Sequence, residues 1–386
     1  MNILYWCPYL SHVATVKAVL NSALSIQQYS KKKLTPQIIN SVGEWDDHRE
    51  YLEKNNIEIL NLSNLKSFYL NLPRNSFVKS RISYFLIGIF SIYKLYKFLK
   101  KKNEKDIFII HLISYVPLLL LIIFNFKCKV ILRISGYPKL NFVRSLLWRL
   151  SNKKLSAIIC PTFDTKDYLI KKKIFSKKKC HVLKDPIINL QNLNYLKNDQ
   201  LEKKLLKKKY ILNIGRLVSQ KNQSFLINAF KKILEFDNEY ILIILGEGEL
   251  ENKLKNLAKK LQIEQKILFL GHVENVFKYL KNAKYFVLTS RWEDPGFVLL
   301  ESAFARTCII SADCPNGPRE ILENGKGGFL FKSGNLESFL SVFLEAEHIG
   351  ENIKNKKKLE VLKKTLDYTK FRHFNNFSRI IDLIRN

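Results

Sequence analysis

Short apolar runs recur down this chain at intervals that few fold classes accommodate. They include Ile3-Leu4-Tyr5-Trp6, 36–41, Ile107-Phe108-Ile109-Ile110, 129–134 and 157–160, then Tyr210-Ile211-Leu212-Asn213-Ile214, 240–245, 267–270, 285–289 and 308–311. Runs this short that lack the alternation of a half-exposed strand read as strands covered on both faces. Helical patterns over 14–29, 222–235 and elsewhere separate them, and parallel strands need crossovers of that length. The chain is therefore expected to be α/β, with doubly wound, Rossmann-like sheets. Its 386 residues are enough for two cores. A polar, highly charged stretch at 190–208 places the boundary: an N-terminal domain over 1–190, a C-terminal domain over 191–369, and a last helix over 370–386 that packs back on the first domain.

The 65 Lys and Arg against 34 Asp and Glu leave a net charge of +31, a field that attracts polyanions. Anionic lipid and phosphorylated substrates fit that charge, as does compositional drift. Nucleic acid does not: the cations form no stripe with interleaved aromatics, and no helix-turn-helix, zinc-finger or RNA-binding signature organises them. Six cysteines, at 7, 128, 160, 180, 308 and 314, show no C-x-x-C pair and no zinc-like grouping with histidine, so they read as reduced core thiols. The N-terminus runs straight into a strand pattern without a basic n-region, and a cytoplasmic location is expected. The run 108–126 approaches the length of a membrane span. His111, Ser114 and Pro117 interrupt it, and it reads as a buried strand, a turn and a buried helix. Residues 80–102 form an apolar helix with a lysine-rich end, the segment best suited to an anionic membrane surface, and they make the protein peripheral on the inner face of a membrane.

In open α/β sheets ligands bind beyond the carboxyl ends of the strands. After the strand 210–214 comes Gly215-Arg216-Leu217-Val218-Ser219-Gln220-Lys221, a glycine turn followed by two cations five residues apart. An arginine fork and a lysine ammonium in one loop suit a diphosphate, whose charge grows as it leaves. After the strand 285–289, Glu293 precedes the turn Pro295-Gly296, and Glu301 lies about one turn inside the apolar helix that begins near Val298. Free amides at that helix start favour an anion. A carboxylate among such apolar neighbours needs a partner, which ligand hydroxyls or an ordinary ion pair with Arg306 or Arg319 would supply. Asp46-Asp47-His48 has no second cluster to complete a metal site. Arg133 to Pro138 follows a strand and suits either an acceptor contact or an ordinary turn.

The G-R-x(4)-K loop and the E-x(7)-E motif, in this order, resemble the retaining GT-B glycosyltransferases of family 4, the group 1 glycosyl transferases. Leu245-Gly246-Glu247-Gly248, Phe269-Leu270-Gly271-His272-Val273 and Asp313 to Ile321 fit as well. The likeness is strong over 208–336 and topological in the first domain. It implies two Rossmann-like domains facing each other across a cleft, and a metal-independent hexosyltransferase that uses a nucleotide sugar, UDP-linked, with retention of configuration. The acceptor would be a surface polysaccharide such as lipopolysaccharide, or a lipid-linked oligosaccharide. Arg216 and Lys221 would hold the donor diphosphate, Glu301 the ribose, Glu293 the transferred sugar, and the backbone of Gly271, His272 and Val273 the base. Gly215 belongs to the same loop, and the amides of Gly296, Phe297 and Val298 would line the sugar and phosphate. His111, at the end of a first-domain strand, is the candidate for a further sugar contact. No metal and no cofactor are expected. The sequence departs from the family in Asp294 and Pro295, after the first motif glutamate, and in Ser11 to Thr15, where many members carry a glycine-rich loop. Two other readings are a nucleotide-sugar epimerase of the same fold and a non-catalytic basic binding protein.

Overall fold

The computed structural model describes residues 1–10, 14–73, 77–188 and 200–385. Ser11, His12 and Val13, which stand where a glycine-rich loop was sought, lie outside the described residues, as does much of the charged stretch after 190. The chain divides into two units, one formed by 1–187 with 368–386 and the other by 188–367. The divisions thus fall a few residues before the expected 190 and 369.

The first unit is built on seven parallel strands: β1 (Asn2–Trp6), β2 (Thr35–Asn40), β3 (Glu58–Asn61), β4 (Ile107–Ile110), β5 (Lys129–Arg133), β6 (Ala157–Cys160) and β7 (Cys180–Val182). They lie in the order β3-β2-β1-β4-β5-β6-β7. Between them run α1 (Ala14–Tyr29), α2 (Arg49–Lys54), α3 (Lys66–Leu70), α4 (Phe77–Lys100), α5 (Tyr115–Ile123), α6 (Phe142–Ser151) and α7 (Phe163–Lys171). Successive strand side chains point to opposite faces, and each face has its own core. Ile3 and Tyr5 pack with Val19 and Ala23 of α1, while Leu4 and Trp6 pack with Leu95 of α4, Val116 of α5, Trp148 of α6 and Leu169 of α7. Helices α4 to α7 therefore share one face of the sheet. The apolar run 108–126 resolves into the fully buried β4 followed by α5.

The C-terminal helix, Lys370–Arg385, belongs to this unit and lies on α1, with Phe377, Ile380 and Ile381 completing the core beneath it. Ser25 Oγ donates to the Lys370 carbonyl at 2.6 Å. The buried His373 ring bridges the Lys184 carbonyl (Nδ1, 2.7 Å) and Ser22 Oγ (Nε2, 2.8 Å). A carbonyl only accepts, so Nδ1 carries the proton, and Nε2 accepts from the serine. Burial lowers the His373 pKa to about 4.

The second unit has six parallel strands: β8 (Tyr210–Ile214), β9 (Ile241–Leu245), β10 (Ile267–Phe269), β11 (Tyr285–Leu288), β12 (Ile309–Asp313) and β13 (Phe329–Lys332), in the order β10-β9-β8-β11-β12-β13. From β8 the chain winds outward to β9 and β10, then returns to start again at β11 on the other side. The switch point between β8 and β11 opens a crevice beyond their carboxyl ends. All six cysteines are buried and unbridged, as reduced core thiols should be.

Candidate active site

The donor-side residues read from the sequence lie in the second unit, in loops beyond its strand ends. Residues 215–222 follow β8 and 289–296 follow β11; because these strands are neighbours, the loops lie side by side at the switch point. Hydrogen bonds join them. Thr289 Oγ1 donates to the Lys221 carbonyl at 3.0 Å, Arg291 N to the Gln220 carbonyl at 2.8 Å, and Gln220 Nε2 to the Trp292 carbonyl at 3.0 Å. Gln223 Nε2 closes the first loop on the Arg216 carbonyl at 3.1 Å.

This framework brings two of the predicted residues into direct contact. Lys221 Nζ donates to both oxygens of Glu293, at 2.6 and 2.8 Å. The Glu293 side chain is 3% exposed and that of Lys221 16%, so the pair is largely withdrawn from water. Ser290 Oγ donates to the same carboxylate, and Asn316 Nδ2 to the Glu293 carbonyl at 2.8 Å. An ammonium has three protons; two serve the carboxylate and one remains. The Lys221 stem passes close over Gly215. Arg216, in contrast, is exposed, and its guanidinium has no hydrogen bond or ion pair among the described residues. Glu301 is half-buried in the second turn of the helix Phe297–Phe304, and Gly296 caps that helix. The first amides of a helix, here those of Phe297 and Val298, have no partner within it.

Backbone packing fixes these loops more than side chains do. Gly246 has φ +128, and a Cβ there would run into the Gly215 carbonyl. Gly317, at φ +131, lies against Pro295 in the same way, and Glu293 N donates to the Pro315 carbonyl at 3.0 Å. The loops after β8, β9, β11 and β12 thus meet backbone to backbone. Gly271 follows the edge strand β10 and accepts from Gly246 N at 2.6 Å, while His272 N donates to Glu247 Oε1 at 3.2 Å. Val273 follows in the same loop, half-buried.

His111 belongs to the first unit. It stands at the carboxyl end of β4, where its N–H donates to the Trp6 carbonyl at 2.8 Å and its ring lies 5.9 Å from that of Tyr5. Burial first, and then the Arg133 charge, hold its pKa well below the usual histidine range, so the ring is neutral. Arg133 itself is buried and paired with Asp185 at 2.6 Å, a framework contact. Asp46 is taken up by Arg49 and Asn40, and among the described residues no group of three or more His, Cys, Asp or Glu is placed to hold a metal ion.

Sequence reasoning missed Ser290, Asn316 and Gln220. Small polar loop residues carry no spacing signal; only their position just beyond a strand end marks them. Arg319, in the short helix Pro318–Ile321, pairs with Asp313 at the end of β12, Nε to Oδ1 at 3.0 Å, an ion pair that spans the loop between them.

The family described as Glycosyl transferases group 1 matches residues 197–364, nearly the whole second unit. An uncharacterized glycosyltransferase of Methanocaldococcus jannaschii is 41% identical over 140 residues, 35% of this chain and 34% of that protein. The N-acetylgalactosamine-N,N'-diacetylbacillosaminyl-diphospho-undecaprenol 4-alpha-N-acetylgalactosaminyltransferase of Campylobacter jejuni is 30% identical over 246 residues, 61% of this chain and 66% of that protein. The matches thus span about a third of the first relative's length and 66% of the second's. The crystal structure of a TarM variant from S. aureus, in complex with Fondaparinux, alpha-GlcNAc-glycerol and UDP, has a TM-score of 0.72 at 12% identity and covers 100% of this chain and 99% of that one. The two parallel sheets with alternating helices and the full-length likeness to the TarM structure give a GT-B fold, and within it the segment 197–364, which carries the loops beyond β8 and β11, belongs to the group 1 glycosyl transferases.

Proposed function

We propose that this protein moves a hexose from a UDP-sugar to a lipid-linked oligosaccharide or surface polysaccharide on the cytoplasmic side of a membrane. In this reading the reaction keeps the anomeric configuration and needs no divalent metal. The observation that carries the reading is the asymmetry of the two cations at the switch point. Arg216 is exposed and unpaired among the described residues, while Lys221 is fixed by Glu293 with one N–H to spare. A diphosphate entering there meets a free guanidinium fork and an ammonium that is already oriented. As the bond from the anomeric carbon to the phosphate oxygen lengthens, positive charge grows on the ring and negative charge on the departing diphosphate. Arg216, Lys221 and the amides of Phe297 and Val298 offset that negative charge, the work a metal performs in other sites. Glu293 holds Lys221 and faces the transferred sugar, and Glu301 accepts from the ribose hydroxyls. UDP as the nucleotide is supported by its presence in the TarM complex, and a lipid-linked acceptor by the name of the Campylobacter relative.

Thermal unfolding tests the donor site. A ligand bound only to the folded state at about 100 times its Kd stabilises by about 2.7 kcal/mol. UDP should therefore raise the melting temperature by several degrees, with EDTA present or absent, and Arg216→Ala should remove the shift. If UDP, GDP and ADP all leave the transition unmoved at millimolar concentration, the assignment fails. Proton NMR of the first product formed from a UDP-α-sugar reports retention or inversion directly.

A further inference from the structure

Helix α4 is apolar on its outward face as well as on its inward one, which a helix between a core and water is not. Its inward stripe is Ser83, Ile87, Ser91, Leu95 and Leu99, spaced four apart and each fully buried. Ser83 Oγ is satisfied by the Pro73 carbonyl at 2.7 Å, and Ser91 Oγ by the Ile87 carbonyl. Its outward stripe is Val78, Ile82, Phe85, Ile89 and Tyr93, 47 to 65% exposed. A surface helix normally turns its apolar stripe to the core and its hydroxyls to water. Here two serines share the inward stripe with Ile87, Leu95 and Leu99, and the outward stripe is wholly apolar or aromatic.

The exposed stripe continues onto the neighbouring helices of the same sheet face. Tyr115 at the start of α5 donates its hydroxyl to the Tyr84 carbonyl of α4 at 2.9 Å, and the Tyr96 and Phe124 rings stand 4.5 Å apart. Lys154, just after α6, donates to the Phe124 carbonyl at 3.2 Å. On α6, Phe142, Leu146 and Leu150 repeat every four residues on the solvent side. An apolar surface of this extent marks a membrane or protein contact.

Charge decides between occupants. Residues 59–163 contain 18 Lys or Arg against two acids, Glu104 and the buried Asp106. Lys97 and Lys100 lie over the Tyr93 and Tyr96 rings, 4.5 and 5.2 Å from their centroids, with stems along apolar surface and ammonium groups at its margin. Aromatic and aliphatic bulk rimmed mainly by cations is the pattern of an interfacial helix on anionic lipid. The segment Val78–Lys100 is long and apolar enough to cross a bilayer by length and composition. Crossing would strip its inward stripe from the core, so the helix lies in the plane of the surface.

We propose that the outward face of α4, α5 and α6 docks the protein on an anionic lipid bilayer, with the apolar stripes entering the headgroup boundary. The face lies outside the donor site, so its test does not depend on sugar transfer. The full-length protein is sedimented at low salt with vesicles of phosphatidylcholine alone or of equal parts phosphatidylcholine and phosphatidylglycerol. Wild type should pellet with the mixed vesicles and stay largely soluble with the neutral ones. The double variant Phe85→Ser, Ile89→Ser should lose about tenfold or more in partitioning, and Lys94→Glu with Lys97→Glu should lose the preference for the anionic vesicles. Arg216→Ala should pellet as wild type does, which separates this face from the donor reading. A cooperative thermal unfolding transition close to that of wild type checks that the double variant is folded. Equal recovery with both vesicle types overturns the proposal, as does a folded double variant that still pellets. A wild type that ignores vesicles and elutes as a dimer that the double variant dissolves also overturns it, in favour of contact between copies.

Discussion

Lys221 and Glu293 are 72 residues apart in sequence and share two hydrogen bonds in a nearly dry site. Removing one partner of such a pair leaves the other charge poorly solvated, at a cost of about 3 kcal/mol, the low end of the usual range because the lysine keeps some exposure. Glu293→Gln should lower the urea midpoint accordingly, while Lys221→Met with Glu293→Leu should recover most of the loss and none of the turnover. A double variant no more stable than Glu293→Gln would refute the coupling. The sequence displayed the separate ingredients here, because Arg216 and Lys221 share one continuous segment, as do Glu293 and Glu301. It did not display their pairing, which depends on β8 lying beside β11, nor the support of Ser290 and Asn316. It assigned Lys221 to phosphate and Glu293 to sugar as separate duties. The geometry ties them into one unit, with the glutamate orienting the lysine.

At the scale of elements, burial explains which strands could be read. Central strands such as β4 and β8 are apolar at nearly every position because helices cover both faces. The strands left unread were β3, β7 and β13, each at the edge of its sheet. β3, Glu58-Ile59-Leu60-Asn61, is exposed at both ends and has no continuous apolar run to show. The loops after the strands follow a different rule, since glycine contacts rather than side chains set their approach. Gly317→Ala would press a Cβ into the Pro295 carbonyl at a φ of +131. It should cost at least about 2 kcal/mol and weaken UDP binding, because Pro295 belongs to the loop that holds Glu293. Gly350→Ala, at φ −60 with open space around it, is the control; as a change at a helix N-cap it should cost no more than about 1 kcal/mol and leave UDP binding unchanged. Equal effects of the two substitutions in chemical denaturation would remove the role assigned to Gly317.

At the scale of the molecule, the chain leaves its first unit near Ile187 and re-enters it at Tyr368, so that unit is complete only when the C-terminal helix has docked on α1. His373 lies in that contact, and its protonation state makes the contact depend on pH. Its pKa is lowered to about 4 in the fold against an ordinary 6.5, so between those values the unfolded chain binds more protons than the folded one. Stability from this group is therefore complete above about pH 6.5 and is lost as pH falls toward 4, by about 3 kcal/mol in all. Glu44 acts in the opposite sense. Burial raises its pKa to about 7, so between the ordinary carboxylate value and 7 the folded state holds the extra proton and stability falls as pH rises. The two slopes oppose each other over most of the weakly acidic range. His373→Gln removes one of them and leaves the other. The substitution should cost most near pH 7.5, where the neutral ring bridges Ser22 and Lys184, and its cost should shrink steadily toward about pH 4.5 as the wild-type histidine is forced to charge. Urea midpoints of wild type and variant at four pH values across that window measure the difference directly, and general charge repulsion cancels in it. A cost that stays constant across the window would mean that the ring is not held neutral, and that the docking of the C-terminal helix owes nothing to its protonation state.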